Sequence, residues 1–330
     1  EINHNTSNAP DLTNRQGFGA SVASLGDMDS DGVVDIAVGT QGLYGSWASP
    51  WDYFGNNVNG AVYIMYLNSD GSVKSTVTID KDTTNGPGSG AGHGYGQAIA
   101  SLGDLDGDGV TDIAVGDLKE DNQKGRILIH YLNSNGSVKS TVKINHDTTN
   151  GATNDGTNFG NQHYGRAVAN IGDLDGDGVT DMAVSEPRLS SYRYTGPVNV
   201  HFMNSNGSIK STVEIDGHGF SSTSRTASAY SQFGTSIVGI GDRNNDGVPD
   251  MAIGAAQDGW GHRWPNNTYV NEMGKGSVHV LEMNSDGSVK NNFRINEMET
   301  NGPSTLWKDA DGSFTTNDDG WACCGDQFGS

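Results

Sequence analysis

Four stretches of the chain carry one order of apolar and polar positions: FGASVASLGDMDSDGVVDIAVG (18 to 39), YGQAIASLGDLDGDGVTDIAVG (95 to 116), YGRAVANIGDLDGDGVTDMAVS (164 to 185) and FGTSIVGIGDRNNDGVPDMAIG (233 to 254). They align without a gap, and each sets an apolar run on either side of a polar, glycine-bearing loop. Short apolar runs bounded by turn residues predict two buried strands joined by that loop. Each unit has a second half: GAVYIMYLNSDGSVKSTVTID (60 to 80), GRILIHYLNSNGSVKSTVKIN (125 to 145), PVNVHFMNSNGSIKSTVEID (197 to 216) and GSVHVLEMNSDGSVKNNFRIN (276 to 296). Here an apolar run meets an Asn/Asp-Gly-Ser turn and then a strand that alternates apolar and polar residues. That pattern predicts a β-hairpin, with glycine supplying the positive φ of a tight turn or G1 bulge.

The unit therefore reads strand, aspartate loop, strand, variable loop, strand, hairpin turn, strand. Four strands per repeated unit predict an all-β fold, a β-propeller-like array of four-stranded blades. A solenoid of stacked hairpins is the rival, but a period of about 70 residues is too long for a β-helix coil. The first three starts are followed by the next after 77, 69 and 69 residues, and a further FGS at 328–330 follows 95 residues after the fourth. We expect a single repeat domain over 1–330, with blades near 18–80, 95–145, 164–216 and 233–296, a rim insertion at 297–327 and the start of another repeat at 328–330. The opening EINHNT matches KINHDT at 143–148, so the chain begins on the tail of a fourth strand and a split repeat lies across its two ends. A small ring closed by those ends and a section through a longer array both fit, and the section is preferred.

The loops hold the densest chemistry. Carboxylates fall at relative positions 1, 3, 5 and 9: Asp27, Asp29, Asp31, Asp35; Asp104, Asp106, Asp108, Asp112; Asp173, Asp175, Asp177, Asp181. The fourth loop has Asp242, Asn244, Asp246 and Asp250. Alternate residues of a tightly turning chain direct their oxygens to one centre, and glycine at position 6 permits the turn. Position 7 adds a backbone carbonyl from Val33, Val110, Val179 or Val248. Five oxygen-donor residues with water suit calcium, about four ions in all. Magnesium prefers octahedral geometry with retained waters, and zinc prefers imidazole or thiolate. A solvated acidic turn would explain one loop but hardly four with one spacing. The acidic ninth position and strand-like flanks exclude an EF-hand. Without the ion the carboxylates repel one another, so folding and calcium are expected to be linked.

Composition agrees with many short strands, since 33% of residues are hydrophobic and 48 are glycine. A formal charge of -21 argues against nucleic acid or anionic lipid as a partner. No run of eighteen apolar residues exists to insert in a membrane. Cys323 and Cys324 are adjacent and alone, so a vicinal disulfide, a bridge to a partner and two buried thiols all fit. Asn5, Asn135, Asn206 and Asn266 stand in N-x-[ST] sequons. The polar composition and the loops favour an extracellular or cell-surface setting.

The FG start, the aspartate loop and the following D-I-A-V-G resemble the FG-GAP repeats of integrin α-subunit propellers and of many bacterial secreted and surface proteins. The resemblance covers all four units. It implies calcium at the four loops, on the rim away from the usual ligand face. The Ala-Pro element of the family departs here, with only Pro187 keeping the proline, and integrin-like propellers carry seven repeats where this chain shows four.

Aromatic residues gather in the variable loops: Trp47, Trp51 and Tyr53, then Tyr192 and Tyr194, then Trp260 and Trp264. On polar loops they suit stacking on a glycan or anchoring a protein partner, although long insertions also need small cores of their own. The expected function is a calcium-stabilised extracellular adhesion or assembly module that binds a glycan, a protein or copies of itself. A polysaccharide-acting enzyme, or its binding module, and a structural repeat of a surface array are the alternatives. Catalysis finds little support: the nine histidines form no H-E-x-x-H set, and His130, His201 and His279 recur at nearly one place in the third strand, which favours packing.

Overall fold

The computed structural model describes residues 2–3, 6–10, 12, 17–40, 59–88, 94–118, 124–152, 163–187, 196–217, 232–256 and 276–295. Sixteen strands form four antiparallel four-stranded sheets, arranged as the blades of a β-propeller, with no α-helix among the described residues. The first sheet is β1 (Phe18–Gly26), β2 (Asp35–Thr40), β3 (Ala61–Leu67) and β4 (Val73–Ile79). The second is β5 (Tyr95–Gly103), β6 (Asp112–Asp117), β7 (Arg126–Leu132) and β8 (Val138–Ile144). The third is β9 (Val168–Gly172), β10 (Asp181–Ser185), β11 (Val198–Met203) and β12 (Ile209–Ile215). The fourth is β13 (Phe233–Gly241), β14 (Asp250–Ala255), β15 (Ser277–Met283) and β16 (Val289–Ile295). In each, neighbours in sequence are neighbours in the sheet. The third repeat differs at its start: Tyr164 makes an isolated parallel bridge to Gly125 of the second blade before β9 begins.

The sheets stack face to face in chain order, and the apolar runs line the seams. Ile64, Tyr66 and Ile79 of the first sheet meet Tyr95, Ile113 and Leu128 of the second. Ile127, Ile129 and Tyr131 meet Tyr164, Met182 and Val184 across the next seam. Val200, Phe202 and Ile215 meet Phe233, Met251 and Leu281 across the third. Strands such as β7 are covered on both faces, which is why RILIHYL reads as a nearly continuous apolar run. The fourth strands are outermost, and VKSTVKI alternates accordingly. The seams are tight at glycine: a Cβ on Gly39 would stand 1.9 Å from the Gly96 carbonyl oxygen of the next blade.

The hairpins have the expected bulge, with a register shift between Tyr66 and Leu67 and Gly71 at φ 79°. The links between blades also repeat. After β4, Asp80 N–H donates to Thr83 Oγ1 and Asn85, at φ 57°, accepts the Thr141 hydroxyl of the next blade. After β8, Asn145, Thr148, Asn150 and Thr212 do the same. Residues Asn3, Thr6 and Asn8 repeat this turn and clasp on Thr76 of the first blade, and Ile2 packs with Val38 and Tyr63.

Candidate metal centres

Each aspartate loop joins the first two strands of a blade, and backbone N–H groups shape it. Asp27 accepts from Asp31 N at 3.0 Å and Gly32 N at 2.8 Å, while Asp31 accepts from Val33 N at 2.9 Å. The same three bonds recur around Asp104 and Asp108, Asp173 and Asp177, and Asp242 and Asp246. Gly32 at φ 85° makes the turn that an L side chain would strain.

The ninth-position aspartates are buried and join three elements. Asp35 accepts from Met28 N in the loop and from Leu67 N at the end of β3, both at 3.0 Å. Asp112 takes Leu105 and Leu132, Asp181 takes Leu174 and Met203, and Asp250 takes Arg243 and Met283. Burial raises the Asp35 carboxyl above its ordinary range and pushes Asp112 and Asp181 up to about 6, against the lowering effect of the donated bonds.

Carboxylate oxygens from Asp27, Asp29 and Asp35 lie within 4.8 Å of one another, as do those of Asp104, Asp106 and Asp108, and of Asp173, Asp175 and Asp181. These are hard oxygen donors with no imidazole or thiolate among them, a set that fits a hard divalent cation. In the fourth loop Asn244 replaces a carboxylate, and no such acidic triad forms there among the described residues.

Two further features of the loops were not read from the repeat. A lysine of the fourth strand reaches each loop: Lys74 Nζ stands 2.6 Å from both Asp29 and Asp31, and Lys139 2.6 and 2.8 Å from Asp106 and Asp108. Lys210 pairs with Asp175 at 2.8 Å and with Asp177, and Lys290 with Asp246 at 2.7 Å. These bonds hold Asp31, Asp108, Asp177 and Asp246 below the usual carboxylate range. The signal was the recurring V-K or I-K step after each hairpin turn. Secondly, the loops are wedged into the seams. Position 2 (Met28, Leu105, Leu174) packs forward with the next blade, and position 7 (Val110, Val179, Val248) packs back with the previous one.

Other residues singled out by sequence fall elsewhere. His130 is buried between Tyr95 Oη at 2.9 Å and Thr141 Oγ1 at 2.7 Å, and His201 between Tyr164 Oη and Thr212 Oγ1. Burial pushes both imidazoles down to about 3, so they stay neutral in the packing. His279 is not their equivalent: Leu281 pairs with Met251 where His130 and His201 pair with Ile113 and Met182, and His279 meets Ser277 and Asn292 instead. Trp47, Trp51, Tyr53, Tyr192, Tyr194, Trp260 and Trp264 lie outside the described residues, as do Cys323, Cys324 and 328–330.

Blades of four antiparallel strands, each with a repeated D-x-D/N-x-D-G-x-x-D loop between its first two strands, define a β-propeller of acidic-loop repeats. The FG-GAP repeat family model matches residues 95–130. Human integrin alpha-11 is 31% identical over 156 residues, 46% of this chain and 12% of that protein. Drosophila melanogaster integrin alpha-PS2 is 29% identical over 48% of this chain and 10% of its own length, and Xenopus laevis integrin alpha-4 is 27% identical over 48% and 14%. The chain carries an FG-GAP repeat at residues 95–130 and is similar to integrin alpha chains over about half of its own length. It spans about an eighth of the length of these curated relatives.

Proposed function

We propose that the chain is a calcium-stabilised extracellular adhesion or assembly module that binds a protein or glycan partner. The observation that carries the reading is the placement of the acidic loops at the seams between blades: the second and third loops are wedged through both their second and seventh residues, the first through Met28 and the fourth through Val248. Calcium is held by the carboxylates at positions 1, 3, 5 and 9 and the carbonyl of position 7, with Asn244 standing in at the fourth loop. Its charge offsets the carboxylate repulsion, and ordering a loop orders the seam or seams into which its second and seventh residues pack. The likeness to integrin alpha chains supports an adhesion-type, protein-binding use at a cell surface. Among the described residues no helix is long and apolar enough to cross a membrane.

The partner is met at the end opposite the acidic loops. There the chain leaves β2 at Thr40 and returns at Ala61, and the same step in the third and fourth blades brackets the other aromatic clusters. Calorimetric titration of the metal-stripped chain with calcium, with thermal unfolding followed at each stoichiometry, tests the scaffold. About four ions and a large rise in melting temperature are expected. Absence of binding, or binding without stabilisation, would overturn it. Loss of glycan or protein binding on Trp47→Ala, Trp51→Ala or Trp264→Ala, with melting unchanged, tests the partner surface.

A further inference from the structure

We propose that Lys74, Lys139 and Lys210 are tethered counter-cations: each holds the third and fifth carboxylates of its loop together when no calcium is bound, and thereby lowers that loop's calcium affinity. The inference rests on the calcium reading above. Each lysine stands on the outermost strand of its blade, directly after a buried anchor (Val73, Val138 or Ile209) that fixes where its stem starts. Its ammonium bridges the Oδ2 atoms of positions 3 and 5 in all three loops. Backbone N–H groups already take both oxygens of position 1 and Oδ1 of position 5, so the lysine is the one full positive charge bonded to each of these acidic loops among the described residues.

The sign of the coupling follows from charge alone. Four carboxylates attract the ammonium in the metal-free loop, and a divalent cation cancels half of that attraction when it binds. Lysine and calcium therefore oppose each other whether or not Nζ stays in contact. The fourth loop is a built-in control, because Asn244 removes one of the carboxylates and Lys290 meets Asp246 alone.

The test compares the full-length chain with a Lys74→Met, Lys139→Met, Lys210→Met variant and with the matching arginine variant. Calcium affinity is read by calorimetry, and melting is followed with and without saturating calcium. The methionine variant should bind calcium about fivefold more tightly per loop, the scale of an exposed ion pair. Its metal-free form should melt several degrees lower and its calcium-saturated form near the wild type. Arginine should restore both properties, and Lys290→Met should shift affinity by about twofold at most. Unchanged or weaker binding by the methionine variant would overturn the proposal, as would equal destabilisation with and without calcium, which marks a merely structural lysine. If the triple variant fails to fold, Lys74→Met alone is held to the same outcomes at one loop. A wild-type chain that takes up no calcium sinks the underlying reading, and is recognised before any variant is made.

Discussion

The seam between the third and fourth sheets and the far face of the fourth sheet occupy the same positions of the repeat, with different chemistry. On the seam, Leu174, Phe202, Val213 and Ile215 pack against the next blade. On the far face the equivalents are Arg243, Glu282, Phe293 and Ile295. Arg243 Nη2 pairs with Glu282 at 2.5 Å and its guanidinium lies 4.8 Å over the Phe293 ring. Ile215 is 4% exposed and Ile295 40%. No further sheet follows the fourth among the described residues. The repeat sets which positions point forward; where no blade covers them, two of the four carry the charged pair Arg243 and Glu282, while Phe293 and Ile295 stay apolar and exposed. The loops follow the same division: Leu174 wedges its loop into a seam, whereas Arg243 ties its loop to its own blade.

The largest expected consequence is in packing. Ile215→Ala should cost about 3 kcal/mol and Ile295→Ala under about 1, measured by denaturant unfolding with calcium present. Equal costs would show that the far face is covered as fully as the seam. Next comes the ninth aspartate. Asp181→Ala leaves the Leu174 and Met203 N–H groups without their acceptor, at about 2–3 kcal/mol. Asp250→Ala should cost less, because the bond from Arg243 N is only partly buried. A smaller effect belongs to the tyrosine latch: Tyr131 Oη donates to the Ser205 carbonyl of the next blade at 2.8 Å, and Tyr131→Phe should cost about 1 kcal/mol. Phe202 fills that position on the following seam with no hydroxyl, against Gly287.

The smallest effect is in pH. Asp112 and Asp181 rise from the ordinary 3.8 to about 6 on folding, so the metal-free folded chain binds these protons more tightly than the unfolded chain. That contribution is fully present below about pH 4 and is lost as pH rises through about 6. Asp108 and Asp177, held low by their lysines, act in the opposite sense and only at lower pH. Calcium binding needs the ionised carboxylates. The gap in melting temperature between calcium-loaded and metal-free chains should therefore narrow as pH falls from 7 to 4.5, and a constant gap would remove these carboxylates from the site.

Much of the blade was legible because its signals are local. The alternation around Asn68 to Ser72 and the glycine of the turn specify a hairpin within a few residues, and the spacing of Asp27, Asp29, Asp31 and Asp35 specifies a closed acidic loop. The lysines were harder to read. Lys74 is separated from Asp31 by 43 residues, and only the pairing of β1 through β4 brings them together. His279 stands five residues before the hairpin turn at Asn284, where His130 and His201 stand three before Asn133 and Asn204, an offset readable in the sequence and seen again in the strand pairing.

The sequence by itself determined the repeat, its strands, the turns between them and the acidic donor set, since each depends on residues close together in the chain. The tertiary structure decided what spans those elements. It made the ninth aspartate a buried tie between loop and third strand, put Met28 and Val110 into the same seam from two blades, and left Arg243 and Glu282 on the far face. Such facts depend on which surfaces meet, and that is settled by the stacking of whole sheets.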